Sequence, residues 1–209
     1  MPRTFTAEAI VLATYNVGEA DRLCVLFTRD YGRIAARATA ARRVHSKLGG
    51  TLLPFLRIRA DIREWKGGYV ITGAHRHVSC MRGNAVEEFL AAAEVVELLL
   101  ILLEDGEPLP ELFDALTEAL ASTSVPPAFH AARMLHLLGH MPAIDATAFP
   151  ELLEQERRAI ALWIQIGQLL DVSPNMLSSV SALCERVLRD HGNRKRRVPE
   201  VRQAFAVAP

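Results

Sequence analysis

The sequence predicts an α+β protein, with a small closed five-stranded barrel over residues 1–79 and an all-helical domain over residues 80–209. Three observations carry that reading. Short β-compatible runs separated by turn residues fill the first 79 positions, and helical patterns started by prolines fill most of the rest. Charge then divides the chain at the same place. Residues 1–79 hold 13 Lys and Arg against 6 Asp and Glu, residues 80–192 hold 6 against 17, and residues 193–209 hold 5 against 1, although the whole chain is neutral. A basic β block joined to an acidic helical block implies a piece that meets a polyanion and a piece with a different partner.

The strands follow in order. Phe5 to Tyr15, Leu23 to Thr28 and Ile34 to Ala38 are the first three, with Asp30-Tyr31-Gly32 as a tight turn between the second and third. Leu56 to Glu64 is the clearest. Leu56, Ile58, Ala60 and Ile62 alternate with Arg57, Arg59, Asp61 and Arg63, the period of a half-buried strand. Lys66-Gly67-Gly68 turns the chain into Tyr69 to Val78. One long basic connection, Thr39 to Thr51, holds Arg42, Arg43, Lys47 and a flexible Gly49-Gly50. Five short strands with one long loop fit a small barrel.

The helices come next. Asn84 caps the first, and Glu87, Glu94, Glu97 and Glu104 draw an acidic stripe on an otherwise apolar cylinder that is expected at the centre of the second domain. Others start near Pro110, Pro127 and Pro150, since proline suits a first helical turn. One spans about Pro174 to Asp190 and stops at His191-Gly192, and a short last helix covers Pro199 to Ala206.

Composition excludes several classes. Half the residues are hydrophobic and 23% are charged, enough for a core and too ordered a mixture for disorder. Val95 to Leu103 is the longest apolar stretch and is broken by Glu97, well short of the roughly 20 residues a membrane span needs. No signal-peptide pattern opens the sequence. Cys24, Cys80 and Cys184 are isolated, so neither a disulfide framework nor a four-cysteine zinc site is expected, and a reducing cytoplasm fits. The sequence has no Gly-rich phosphate loop, G-x-S-x-G elbow or H-E-x-x-H, and no enzyme is expected. His75 and His77 share a strand face but lack a third ligand. His130, His136 and His140, read on one helix, have Asp145 alone as a nearby carboxylate. No metal and no other cofactor is expected.

The cations form the candidate site. Arg57, Arg59 and Arg63 project from one strand face by parity, and Arg37, Arg42, Arg43 and Lys47 decorate the neighbouring strand end and loop. Guanidinium groups grip phosphate oxygens in pairs, so this set predicts a groove for a nucleic-acid backbone. Tyr15, Tyr31, Phe55, Trp65 and Tyr69 are candidate stacking rings, most of them expected in the core. The Arg194-Lys195-Arg196-Arg197 run is read equally as a solvated tail and as a second basic contact.

These residues also carry a resemblance. Ala9-Ile10-Val11-Leu12, Gly18-Glu19-Ala20-Asp21-Arg22-Leu23, Leu26-Phe27-Thr28-Arg29-Asp30-Tyr31-Gly32 and Ala41-Arg42-Arg43-Val44-His45-Ser46-Lys47-Leu48 stand in the order expected of the bacterial RecO family. Arg133-Met134-Leu135-His136-Leu137-Leu138-Gly139-His140-Met141-Pro142 resembles that family's helix entering its central loop. The match is specific over residues 8–57 and thinner beyond. Many members carry a four-cysteine zinc loop there, whereas this chain runs from Pro142 to Pro150 without a cysteine. The resemblance implies an N-terminal OB-fold barrel with a helical domain, and a DNA repair and recombination mediator without catalysis. Such a protein binds single- and double-stranded DNA, anneals complementary strands, and helps load RecA onto DNA coated by single-strand-binding protein, usually with RecR. In this chain it assigns phosphate contacts to the seven cations above. Arg133, one of few cations in the acidic block, is nominated for the terminal carboxylate of the single-strand-binding protein's acidic tail, its other reading being a helix-surface salt bridge to an acidic neighbour. The alternative is a protein-interaction adaptor whose basic barrel binds acidic peptides or subunits without a DNA role.

Overall fold

The computed structural model describes residues 3–65, 67–77, 86–122, 124–168 and 171–191. Five strands, β1 (Thr4–Val17), β2 (Asp21–Thr28), β3 (Gly32–Ala38), β4 (Arg57–Trp65) and β5 (Gly68–Arg76), close a barrel in the order β1-β2-β3-β5-β4. All pairs are antiparallel except β3 with β5, which run parallel through Ala36–Tyr69 and Arg37–Val70. This is the small closed barrel that the alternation and turn residues predict, in the five-stranded OB arrangement that the resemblance implies. β1 reaches 14 residues because it pairs on both sides. Thr4 to Ile10 meet β4 and Ala9 to Val17 meet β2, with a register shift between Val11 and Ala13 that bends the strand around the barrel.

The barrel interior is filled by Val11, Leu26, Ile34, Ile58, Ile62 and Ile71, with alanines at positions 7, 9, 36 and 60 leaving room for them. Cys24 lies there too, and burial pushes its thiol up to about 11, which makes it an unreactive core residue. Ile10 and Phe27 pair across β1 and β2 yet stand outside that cluster, fully buried. Their cover comes from α2 (Pro110–Ala121), whose Phe113 ring lies 5.8 Å from that of Phe27. The compact unit around the barrel accordingly takes in Leu103–Ala121 as well as the strands. Gly32 marks how closely that segment approaches. It holds φ +66, and a Cβ there would run into the Glu107 backbone.

The second unit is built from α1 (Val86–Leu102), α3 (Pro127–Leu137), α4 (Glu154–Ile166) and α5 (Pro174–His191). Its centre is α3 rather than the expected α1. α1, α4 and α5 all pack on α3, because Ala128, Ala131 and Ala132 let neighbours approach and Phe129, Met134 and Leu135 fill the space. The acidic stripe also loses a member, since α1 ends at Leu102 and Glu104 lies beyond it. α3 stops at Gly139, φ +74, so His140 falls outside the helix that carries His130 and His136. α4 starts at Glu154, not near Pro150. Phe149 and Leu152 are buried anchors of the turn before it, and the Leu153 N–H donates to Glu156 Oε2 at 3.0 Å to set the first turn. Among the described residues no helix is long and apolar enough to cross a membrane. Cys80, Asn84, Arg194 to Arg197 and the segment from Pro199 to Ala206 lie outside the described residues.

Candidate nucleic-acid interface

β4 presents Arg57, Arg59 and Arg63 at alternate positions, each flanked by buried Ile58, Ala60 or Ile62, so parity does place them on one outer face. Their surroundings divide them. The Arg57 Nη2 donates to Glu8 Oε2 at 2.9 Å, and the guanidinium lies 5.8 Å from the Phe113 ring, so this cation is committed to the α2 side of the barrel. His77 meets the other oxygen of Glu8 at 3.3 Å, and the Arg57 hydrogen bond leads in holding the Glu8 carboxyl below its usual range. Arg59 is exposed, opposite Glu8 and His75. Arg63 is half-buried and sits opposite Val70, which pairs in turn with Arg37 on β3. Arg37 and Arg63 therefore share one row across three strands, about 10 Å apart at typical strand spacing.

The loop from 39 to 56 is ordered. Arg22 reaches across from β2 and donates through Nη1 to the carbonyls of Gly49, at 3.2 Å, and Leu52, at 2.9 Å. Leu52 is fully buried, and the Phe55 N–H donates to Val11 O at 2.8 Å, so the far end of the loop is pinned to the barrel. Gly49 is not the expected flexible link, because its N–H bonds Ser46 O and a Cβ would clash with Ala41 O. At the near end Asp21 holds the chain. Its carboxylate accepts the Ala40 N–H at 2.7 Å and Arg37 Nη2 at 2.6 Å, and those two bonds, the backbone one first, draw its pKa down. Arg42 donates to Gly18 O at 2.9 Å, fixing the loop to the β1–β2 turn. Arg43 and Lys47 project into solvent.

Register collects these groups at one end of the barrel. The β1–β2 turn, the end of β3 with the loop it opens, and the β4–β5 turn all meet there, bringing Arg37, Arg42, Arg43 and Arg63 to a common rim. The other end of the β2–β3 hairpin is acidic. Leu103–Ala121 brings six acidic residues and no cation into this unit, and there Asp114 binds Arg29 and Asp105 binds Arg33 at 2.7 Å. The basic surplus of residues 1–79 is thus largely offset within its own unit, and what survives is polarity between its two ends.

In the second unit Arg133 is half-buried, its guanidinium 5.7 Å from the Trp163 ring and beside Gly167, the left-handed residue ending α4. That position suits a cation, since a helix C-terminus is partially negative. His130 is buried against Trp163 with its Nε2 lacking a hydrogen-bond partner, and burial first, Arg133 second, lowers its pKa to about 4. His136 is exposed. Among the described residues no three His, Cys, Asp or Glu side chains gather at metal-binding distance. Sequence reasoning missed Arg22, Arg29 and Arg33. The first two stand among the residues quoted for the family resemblance, but nothing in one dimension says that their partners are carbonyls and carboxylates up to 85 positions away.

Residues 1–80 match the family model described as Recombination protein O N terminal. Three curated relatives, each described as DNA repair protein RecO, align with more of the chain. The protein of Pelobacter propionicus is 32% identical over 150 residues, 66% of this chain and 60% of its own length. That of Myxococcus xanthus is 36% identical over 115 residues, 54% of this chain and 47% of its own. That of Geobacter sulfurreducens is 33% identical over 151 residues, 68% and 61% respectively. The chain thus spans roughly half to three-fifths of the length of the relatives it matches.

Proposed function

The chain belongs to the RecO family through its N-terminal barrel, and from that premise we propose that it is a DNA repair and recombination protein whose barrel binds DNA by its phosphates. The observation that carries this reading is the basic rim. Arg42, Arg43 and Lys47 stand on a loop held at both ends, and Arg37 and Arg63 lie on one row beside it, with Arg59 farther along β4. Ordered cations lose little freedom on meeting a phosphate, so such a rim favours a backbone of any sequence. Arg57, tied to Glu8, contributes to the field rather than by direct contact.

Annealing and loading follow from the same chemistry. Cations that screen two phosphate backbones let complementary bases meet, and pairing energy completes the step without a catalytic group. Single- and double-stranded DNA are both substrates in this reading, and single-strand-binding protein, RecR and, through them, RecA are the partners. Arg133 remains nominated for an acidic tail's carboxylate. Arg133→Ala should then weaken tail-peptide binding with DNA affinity intact, whereas its contact with Trp163 alone would show as lost stability.

Salt dependence tests the phosphate reading. Five to seven contacts give a slope of log K against log salt of about −3.5 to −5 on single strands. Arg42→Glu with Arg43→Glu should weaken binding to all sequences alike and flatten that slope by roughly 1.4. A slope near zero, or binding to an acidic peptide but to no oligonucleotide, would replace it with the adaptor reading.

A further inference from the structure

We infer that the Arg63–Trp65 pair at the end of β4 is a stacking platform for an unpaired base of a single strand, an inference that rests on the barrel being a polynucleotide binder. Trp65 is the last residue of its strand, and 49% of it is exposed, where a core tryptophan would be covered. Parity puts it on the same outer face as Arg63, whose guanidinium carbon lies 5.2 Å from the indole centroid.

The strand opposite is low. Trp65 pairs with Gly68, which follows Gly67 at φ +78. A Cβ at Gly67 would meet nothing within 4 Å, and one at Gly68 would meet only the Trp65 carbonyl oxygen at 3.9 Å. Gly67 and Gly68 therefore put no side chain of their own into the space at the end of β4. Among the other rings, Tyr31 and Tyr69 pack on Phe5, at 4.2 and 6.0 Å, Phe55 is buried, and Tyr15, 54% exposed on β1, has Leu23 opposite it on β2 where Trp65 has Arg63 against its ring.

Charge says what occupies that space. Arg63 belongs to the row that continues through Val70 to Arg37, so a flat group lying on the indole has its neighbouring phosphates beside two guanidinium groups. A nucleobase with its own phosphodiester fits both features. Bases in a duplex are already stacked on both faces, so the platform serves single strands and not duplexes.

Intrinsic fluorescence tests this, because the chain's other tryptophan, Trp163, is 2% exposed and supplies a constant background. Oligothymidylate should quench the full-length protein's emission, and an equally long strand of abasic phosphodiester should bind without quenching. Trp65→Ala should weaken oligothymidylate binding about tenfold, with the salt slope and duplex affinity unchanged, and Trp65→Phe should restore the affinity. Oligothymidylate bound by anisotropy without any quench, or equal weakening of single strands and duplexes in Trp65→Ala, would overturn the platform and leave the phosphate reading standing. Failure of normal and abasic strands alike to bind at low salt would overturn both.

Discussion

His130 shows how one buried side chain sets a pH limit. Its imidazole is 4% exposed and held neutral, with a pKa of about 4 against an ordinary 6.5. The folded state therefore binds fewer protons than the unfolded chain between those values. Stability is fully present above pH 6.5 and is lost as pH falls toward 4, by about 3 kcal/mol at most. The depressed carboxyls of Glu8 and Asp21 act in the same direction but lower, below their ordinary values near 4. Urea midpoints measured from pH 7 to 4.5 should fall steadily, and His130→Phe should flatten that fall. At this scale the outward placement of Arg57, Arg59 and Arg63 was legible from β4 alternation alone. The pairing of Arg57 with Glu8 was not, because 49 residues separate them and only barrel closure brings β1 beside β4.

The loop between β3 and β4 behaves as an element in its own right, with Ala40 at φ 55 and Phe55 at φ 69 marking its two ends. Arg22 is its main tie. Arg22→Ala removes two hydrogen bonds from a charged donor, a loss of about 1.5–3 kcal/mol if the two together count as one strong bond. Trypsin should then cut faster at Arg42, Arg43 or Lys47, and DNA affinity should fall although Arg22 itself touches no phosphate. Unchanged cleavage would show that Leu52 and Phe55 hold the loop unaided. All five strands were readable within about two residues because period-two burial and turn residues are local signals. The start of α4 was misread, since Pro150 has the look of a first helical turn while Phe149 and Leu152 are drawn into the core beside it. The end of α3 was misread too: the three histidines were placed on one helix, although Gly139 is a local signal that stops it before His140.

At the scale of the molecule, the helix α2 is the part no local pattern could assign. Its buried Leu112, Phe113 and Leu116 make a face that reads alike whether its partner is a helix or a barrel, and its acidity pointed to the helical block. Contact places it in the barrel unit instead. Phe113→Ala should cost about 3–5 kcal/mol, and hydrogen exchange should locate the loss in β1 and β2. A loss confined to α1 and α3 would contradict that assignment. The chain thus leaves the barrel unit to form α1, returns to lay α2 over Ile10 and Phe27, and leaves again. Inheritance is constrained by that route. A single crossover between genes, placed after the last strand, would deliver a barrel with Ile10 and Phe27 bare, or fitted with a stranger's helix in place of its own. The two halves of this protein can be exchanged between lineages only by breaks on both sides of residues 103–121, so they are expected to descend together.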